Sequence, residues 1–225
     1  MRTKILLFLS AILVIAAILM DFLIIPSSTG STAMQHNPVF YLHIPVAWVA
    51  LGGFLIVFFA SIAYLKTRRL FWDMVGSTAA ELGLIFTTLF LLTGSIWGKA
   101  EWGVWWTWEA RLTSSLVLWI IYAGYFLLRA YITAPEQRAR FAAVFGIIGF
   151  VDVPIVILTL FVSRRVHPGG VAFELNEPGM IITLVTGVFA FSLLFLALMF
   201  FRLHLKEDEA KIAQLKELKR EEKDA

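Results

Sequence analysis

Six stretches of the chain are almost continuous hydrocarbon, at about 5–25, 40–65, 74–96, 112–134, 141–163 and 180–202, and short polar segments separate them. About 20 apolar residues in helical form cross the roughly 30 Å hydrocarbon core of a bilayer, so each stretch predicts one membrane-spanning helix. The breaks carry loop chemistry: PSSTGSTAMQHNP after the first stretch, KTRR after the second, APEQRAR after the fourth, and RRVHPGG running to NEP after the fifth. The expected fold is therefore all-α, a polytopic bundle of six transmembrane helices without internal repeat. Residues 1–202 form the transmembrane domain. Residues 203–225 form a charged tail, expected as a solvated helical extension in which Glu207 precedes Lys211 by four residues.

Composition sharpens this picture. Across 225 residues, 60% are apolar and 16% charged, with a mean hydropathy of +0.82, which excludes an ordinary soluble domain. The first stretch follows Arg2 and Lys4, but its run from Ile5 to Ile25 exceeds the roughly 7–15 residues of a signal-peptide core. No small-residue cleavage site follows it, so it is read as an uncleaved first helix. Lys and Arg collect in cytoplasmic loops. With the N-terminus inside, 15 of the 19 basic residues are cytoplasmic, and only Lys99, Arg111, Arg164 and Arg165 lie outside. Both termini are thus expected in the cytoplasm, and the net charge of +3 records topology rather than nucleic-acid binding.

That orientation sends the most unusual segment, WGKAEWGVWWTWEAR, to the outer face, together with His36, His43 and His167. His204 stays on the cytoplasmic tail. An interfacial aromatic belt explains Trp72 and suits Trp48 or Trp119. It explains poorly five tryptophans, Trp97, Trp102, Trp105, Trp106 and Trp108, within twelve residues. If residues 102–109 are helical, Trp102, Trp105, Trp106 and Glu109 share one face and form an aromatic shelf edged by a carboxylate. Neutral imidazole is a common ligand of haem iron, tryptophan covers its apolar plane, and arginine pairs with its propionates.

On LTGSIWGKAEWGVWWTWEARLTSSL and YLHIPVAW, the chain resembles the WWD-domain haem-handling proteins of cytochrome c maturation, the haem exporter protein C (CcmC) group above all. The resemblance covers most of residues 40–202. It implies non-covalent haem b held on the outer, periplasmic face of the cytoplasmic membrane. Trp102, Trp105, Trp106 and Trp108 are then the haem platform, with Glu109 at its edge, and His43 and His167 are the axial ligands. Arg111 pairs with a propionate. The implied partners are a membrane-anchored haem chaperone and the ATP-binding cassette and membrane subunits of a maturation complex. The implied role is transport and handover, not enzymatic catalysis. Two positions depart from the family pattern: Glu109 stands where Asp is usual, and Pro38 where many relatives carry an arginine ahead of the first histidine.

The chain has no cysteine, so it neither reduces apocytochrome thiols nor holds haem through thioethers. Acids inside spans are costly, which singles out Asp21, Glu81 and Asp152. Asp152, beside Pro154, is read as bonding within the bundle, and Asp21 and Glu81 as hydrated near the interfaces. Gly52, Gly53, Gly76, Gly83, Gly146 and Gly149 are expected to permit close helix packing. Two other functions compete: a transporter or channel subunit using Asp152 and Glu81, and a b-type electron carrier. The first lacks an inverted repeat. The second normally places paired histidines inside facing spans.

Overall fold

The computed structural model describes residues 2–25, 37–162 and 178–224, and every element among them is a helix. In chain order these are α1 (Arg2–Ile24), α2 (Pro38–Thr67), α3 (Leu70–Trp102), α4 (Ala110–Tyr131), α5 (Pro135–Phe150), α6 (Asp152–Val162) and α7 (Pro178–Asp224). Six helical stretches are long and apolar enough to cross a membrane, with α5 and α6 together supplying the fifth. His36, Arg164, Arg165 and His167 lie outside the described residues.

Two expectations about element boundaries need correction. The third helix continues past residue 96 to Trp102, so Trp97 and Trp102 belong to α3 and not to a connector. The fifth span is interrupted at Val151. Pro154 has no N–H to return to the Phe150 carbonyl. There the Val151 N–H turns back to the Ile148 carbonyl at 3.1 Å, and the helix restarts at Asp152. The tail continues α7 without a break, but Lys211 pairs there with Asp208 at 3.6 Å rather than with Glu207.

Large apolar side chains such as Phe8, Leu23, Phe59, Ile120, Ile148 and Phe189 face outward, as suits a chain whose solvent is lipid. Inside, Phe54 stacks on Tyr122 with ring centroids 3.7 Å apart, and Phe86 packs against Phe191 and Phe195. The helices α2 and α3 approach where Gly53 meets Gly83: a Cβ on Gly53 would lie 3.2 Å from the Gly83 Cα. Small residues permit this backbone contact, which supplies dispersion energy where lipid removes the hydrophobic drive. Gly146 and Gly149 are similarly enclosed, but Gly52 faces open space and makes no close contact.

One end of the bundle is held by ion pairs. Arg129 of α4 grips Asp73 of α3, and Arg202 of α7 meets both oxygens of Glu81 at 3.1 Å. Lys206 stands 3.5 Å from Glu81 and donates to Ser77 at 3.1 Å. Glu81, expected to rely on hydration, thus has two cationic partners, because α7 passes beside it. Asp21 and Asp152 are buried, each with one carboxylate oxygen lacking a hydrogen-bond partner among the described residues.

Candidate functional site

The opposite end is organised around His43. Asn37 caps α2 there: its Oδ1 accepts from the Val39 N–H at 3.0 Å, satisfying an otherwise orphaned donor. Its Nδ2 donates to Glu101 Oε1 at 3.0 Å, tying the start of α2 to the last turn of α3. Pro38 occupies the first helical position, where a missing N–H costs nothing. His43 follows in the second turn and is buried.

The imidazole lies against Phe90, Thr93, Gly94 and Trp97 of α3, which are spaced i, i+3, i+4, i+7 and therefore share a face. Phe90 stacks on it at 4.7 Å, and Trp97 tilts against it at 5.6 Å. A Cβ on Gly94 would sit 2.9 Å from its Cε1, so only glycine lets the ring lie this close. Nδ1 is 3.1 Å from Thr93 Oγ1.

Gly103 ends α3 in the left-handed region (φ 74°), which glycine enters without the Cβ penalty. Its N–H bonds the Lys99 carbonyl at 3.2 Å, and Lys99 Nζ donates back to the Gly103 carbonyl at 2.7 Å. Residues 103–109 are consequently not helical. The helical register that would align Trp102, Trp105, Trp106 and Glu109 is absent, which corrects the flat-shelf expectation. Trp102 packs on Trp97 at 5.7 Å. Trp105 and Trp108 are exposed, at 60% and 77%. Trp106 is half-buried and meets Trp108 edge to face at 5.9 Å.

Glu109 is the N-cap residue of α4, and Arg111 lies in its first turn. Ser114 and Ser115 donate to the Arg111 carbonyl at 3.0 and 2.8 Å. The Arg111 guanidinium has Nε and Nη2 buried without hydrogen-bond partners among the described residues. Its charge acts on both Glu109 and His43. His43, Phe90, Gly94, Trp106, Arg111 and Ser115 line one cavity of about 30 Å³.

The structure thus brings His43, Trp106 and Arg111 together, places Glu109 beside Arg111, and leaves Trp105 and Trp108 on the surface. The candidate ligand His167 falls outside the described residues. Sequence reading missed the α3 face that cradles His43, although FLLTGSIW carries the i, i+3, i+4, i+7 spacing.

Fold and site together define a multi-pass helical membrane protein with an imidazole, a guanidinium and an indole around one cavity near a helix-bundle end. The family model described as heme exporter protein C (CcmC) matches residues 2–222. The chain belongs to that family. It is 33% identical over 164 residues to heme exporter protein C of Bradyrhizobium diazoefficiens, covering 71% of this chain and 62% of the relative. Against the Rhodobacter capsulatus protein of the same name the identity is 31% over 82% of this chain and 77% of that one. Against the Escherichia coli K12 protein it is 34%, over 69% and 64% respectively. The first of these alignments spans less than two thirds of its relative's length.

Proposed function

We propose that this protein holds haem at the His43 end of the bundle and presents it to a membrane-anchored haem chaperone for cytochrome c assembly. The observation that carries the reading is the meeting around one cavity of His43, Trp106 and two Arg111 donors that have no hydrogen-bond partner among the described residues. A buried guanidinium with unmade hydrogen bonds costs more than the roughly 1–3 kcal/mol of a neutral unsatisfied group. A carboxylate cargo such as a haem propionate relieves that cost, and a neutral imidazole supplies a bond to iron.

The donor chemistry suits haem, while the cavity of about 30 Å³ holds no more than a water. Of the residues lining it, His43 would offer an imidazole to the iron, Arg111 a guanidinium to a propionate and Trp106 an indole face. Trp102, Trp105 and Trp108 would add aromatic surface for the haem plane, with Trp105 and Trp108 already exposed. Glu109 balances the Arg111 charge. His167 would supply a second imidazole to the iron, and the haem would be b-type, held without covalent attachment.

The site faces outward from the cytoplasmic membrane, with both termini inside, in line with the 15 of 19 basic residues on the opposite side. An ATP-binding cassette subunit and further membrane subunits complete the assembly, and the chain acts as a transport component rather than an enzyme. The rival transport path through Glu81 loses support from the partners that Arg202 and Lys206 provide.

Haem-loaded protein purified from membranes tests this. Two imidazoles on one iron give a six-coordinate, low-spin spectrum. His43→Ala or His167→Ala should each alter it, and the double variant should lose haem. His36→Ala and His204→Ala are the controls. An unchanged low-spin spectrum in the double variant overturns the ligand assignment.

A further inference from the structure

Thr93 is the only hydroxyl on the α3 face that holds the His43 ring, and its bonding decides which ring nitrogen carries the proton. Thr93 Oγ1 lies 2.8 Å from the Leu89 carbonyl and 3.2 Å from the Phe90 carbonyl. Carbonyls only accept, so the single hydroxyl proton goes to them. With the hydroxyl proton on the nearer Leu89 carbonyl, the 3.1 Å contact with His43 Nδ1 is read as a bond that Nδ1–H donates to Oγ1. A neutral imidazole protonated at Nδ1 has its lone pair on Nε2, for which no hydrogen-bond partner is found among the described residues.

We propose that Thr93 is a positioning residue for the haem cargo: it fixes the His43 tautomer so that Nε2 is the iron-binding atom. Its acceptor oxygen also makes the imidazole more basic, as outer partners of metal-bound histidines do. Gly94 is the steric half of the arrangement, since any side chain there pushes the ring off Thr93. The inference rests on the reading of His43 as a haem ligand. The tautomer itself is a property of the haem-free protein and is testable without cargo.

The test uses the full chain in lipid nanodiscs, labelled with ¹⁵N-histidine, with the His43 signals assigned by their loss in His43→Ala. Haem-free wild-type protein should show the Nδ1–H form of His43. Thr93→Val keeps shape and volume but removes the acceptor, and should shift His43 toward the Nε2–H form. Loaded with haem, the same variant should bind it more weakly, by on the order of 10- to 100-fold, and raise the reduction potential. Thr93→Ser should restore all three readouts, and Gly94→Ala should disturb the tautomer although the hydroxyl is intact. If Thr93→Val leaves tautomer, affinity and potential unchanged while His43→Ala abolishes the imidazole spectrum, the Thr93 inference fails alone. If His43→Ala leaves the haem spectrum unchanged, the ligand reading beneath it fails, whatever the NMR shows.

Discussion

Arg129 and Asp73 meet through two parallel hydrogen bonds, Nη1 to Oδ1 at 2.6 Å and Nη2 to Oδ2 at 3.0 Å, with both side chains less than 15% exposed. A fork of this kind locks α4 to α3 in direction as well as distance. Arg129→Ala leaves the mostly buried Asp73 carboxylate without its guanidinium and should cost up to about 3 kcal/mol, the low end for a buried pair because both side chains line an open cavity. Thermal unfolding in detergent should show a lower midpoint, and the apolar pair Arg129→Met with Asp73→Leu should recover most of it. A single variant that melts like the wild type would show that water already serves Asp73.

The close approach of α2 and α3 gives a second expectation. A Cβ at Gly83 would stand 2.8 Å from the Phe54 ring, which cannot retreat because it stacks on Tyr122. Gly83→Ala should therefore destabilise by about 1–3 kcal/mol through overpacking. Gly52, with nothing within 4 Å, is the control one residue from Gly53: there the same change should be neutral or stabilising, since alanine favours helix by up to about 1 kcal/mol. Equal responses at the two positions would contradict the packing described.

Topology is open to chemical labelling. A cysteine replacing Gly103 should react with an impermeant thiol reagent applied outside cells, and one replacing Gln137 should not. Because the chain contains no native cysteine, each signal has a single source. The reverse pattern would put the His43 end in the cytoplasm and refute an outward-facing site.

The tryptophan connector makes a graded expectation. Glu109→Asp keeps the charge beside Arg111 and should retain haem handover. Trp105→Ala combined with Trp106→Ala removes an exposed plane and the indole that lines the cavity, and should lower bound haem severely. Normal transfer to the chaperone by the double variant would reduce these side chains to an interfacial belt.

The architecture was legible in the sequence because each span is long and apolar, and the bilayer sets the required length. The hidden features are those that depend on pairing across the chain. Asp73 with Arg129, and Glu81 with Arg202, join residues 56 and 121 positions apart, and nothing local marks them. His43, Arg111 and Trp106 were legible as unusual residues in apolar surroundings. Their common cavity required the folded chain. The aromatic shelf failed for a local reason: Gly103 reverses the backbone after Trp102, so helical spacing stops at the first residue of the pattern. Meanwhile the register that does matter, from Phe90 to Trp97, hid inside an ordinary hydrophobic span.

The length of α7 has a mechanical consequence. Its 47 residues, at about 1.5 Å each, reach roughly 70 Å, more than twice the roughly 30 Å hydrocarbon thickness. The excess is a cantilever, clasped at its root where Arg202 and Lys206 grip Glu81. Glu81 sits on the same unbroken α3 that carries Thr93, twelve residues or about 18 Å further along. A sideways load on the projecting part of α7 would bear on that clasp, and so on the helix that carries the His43 cradle.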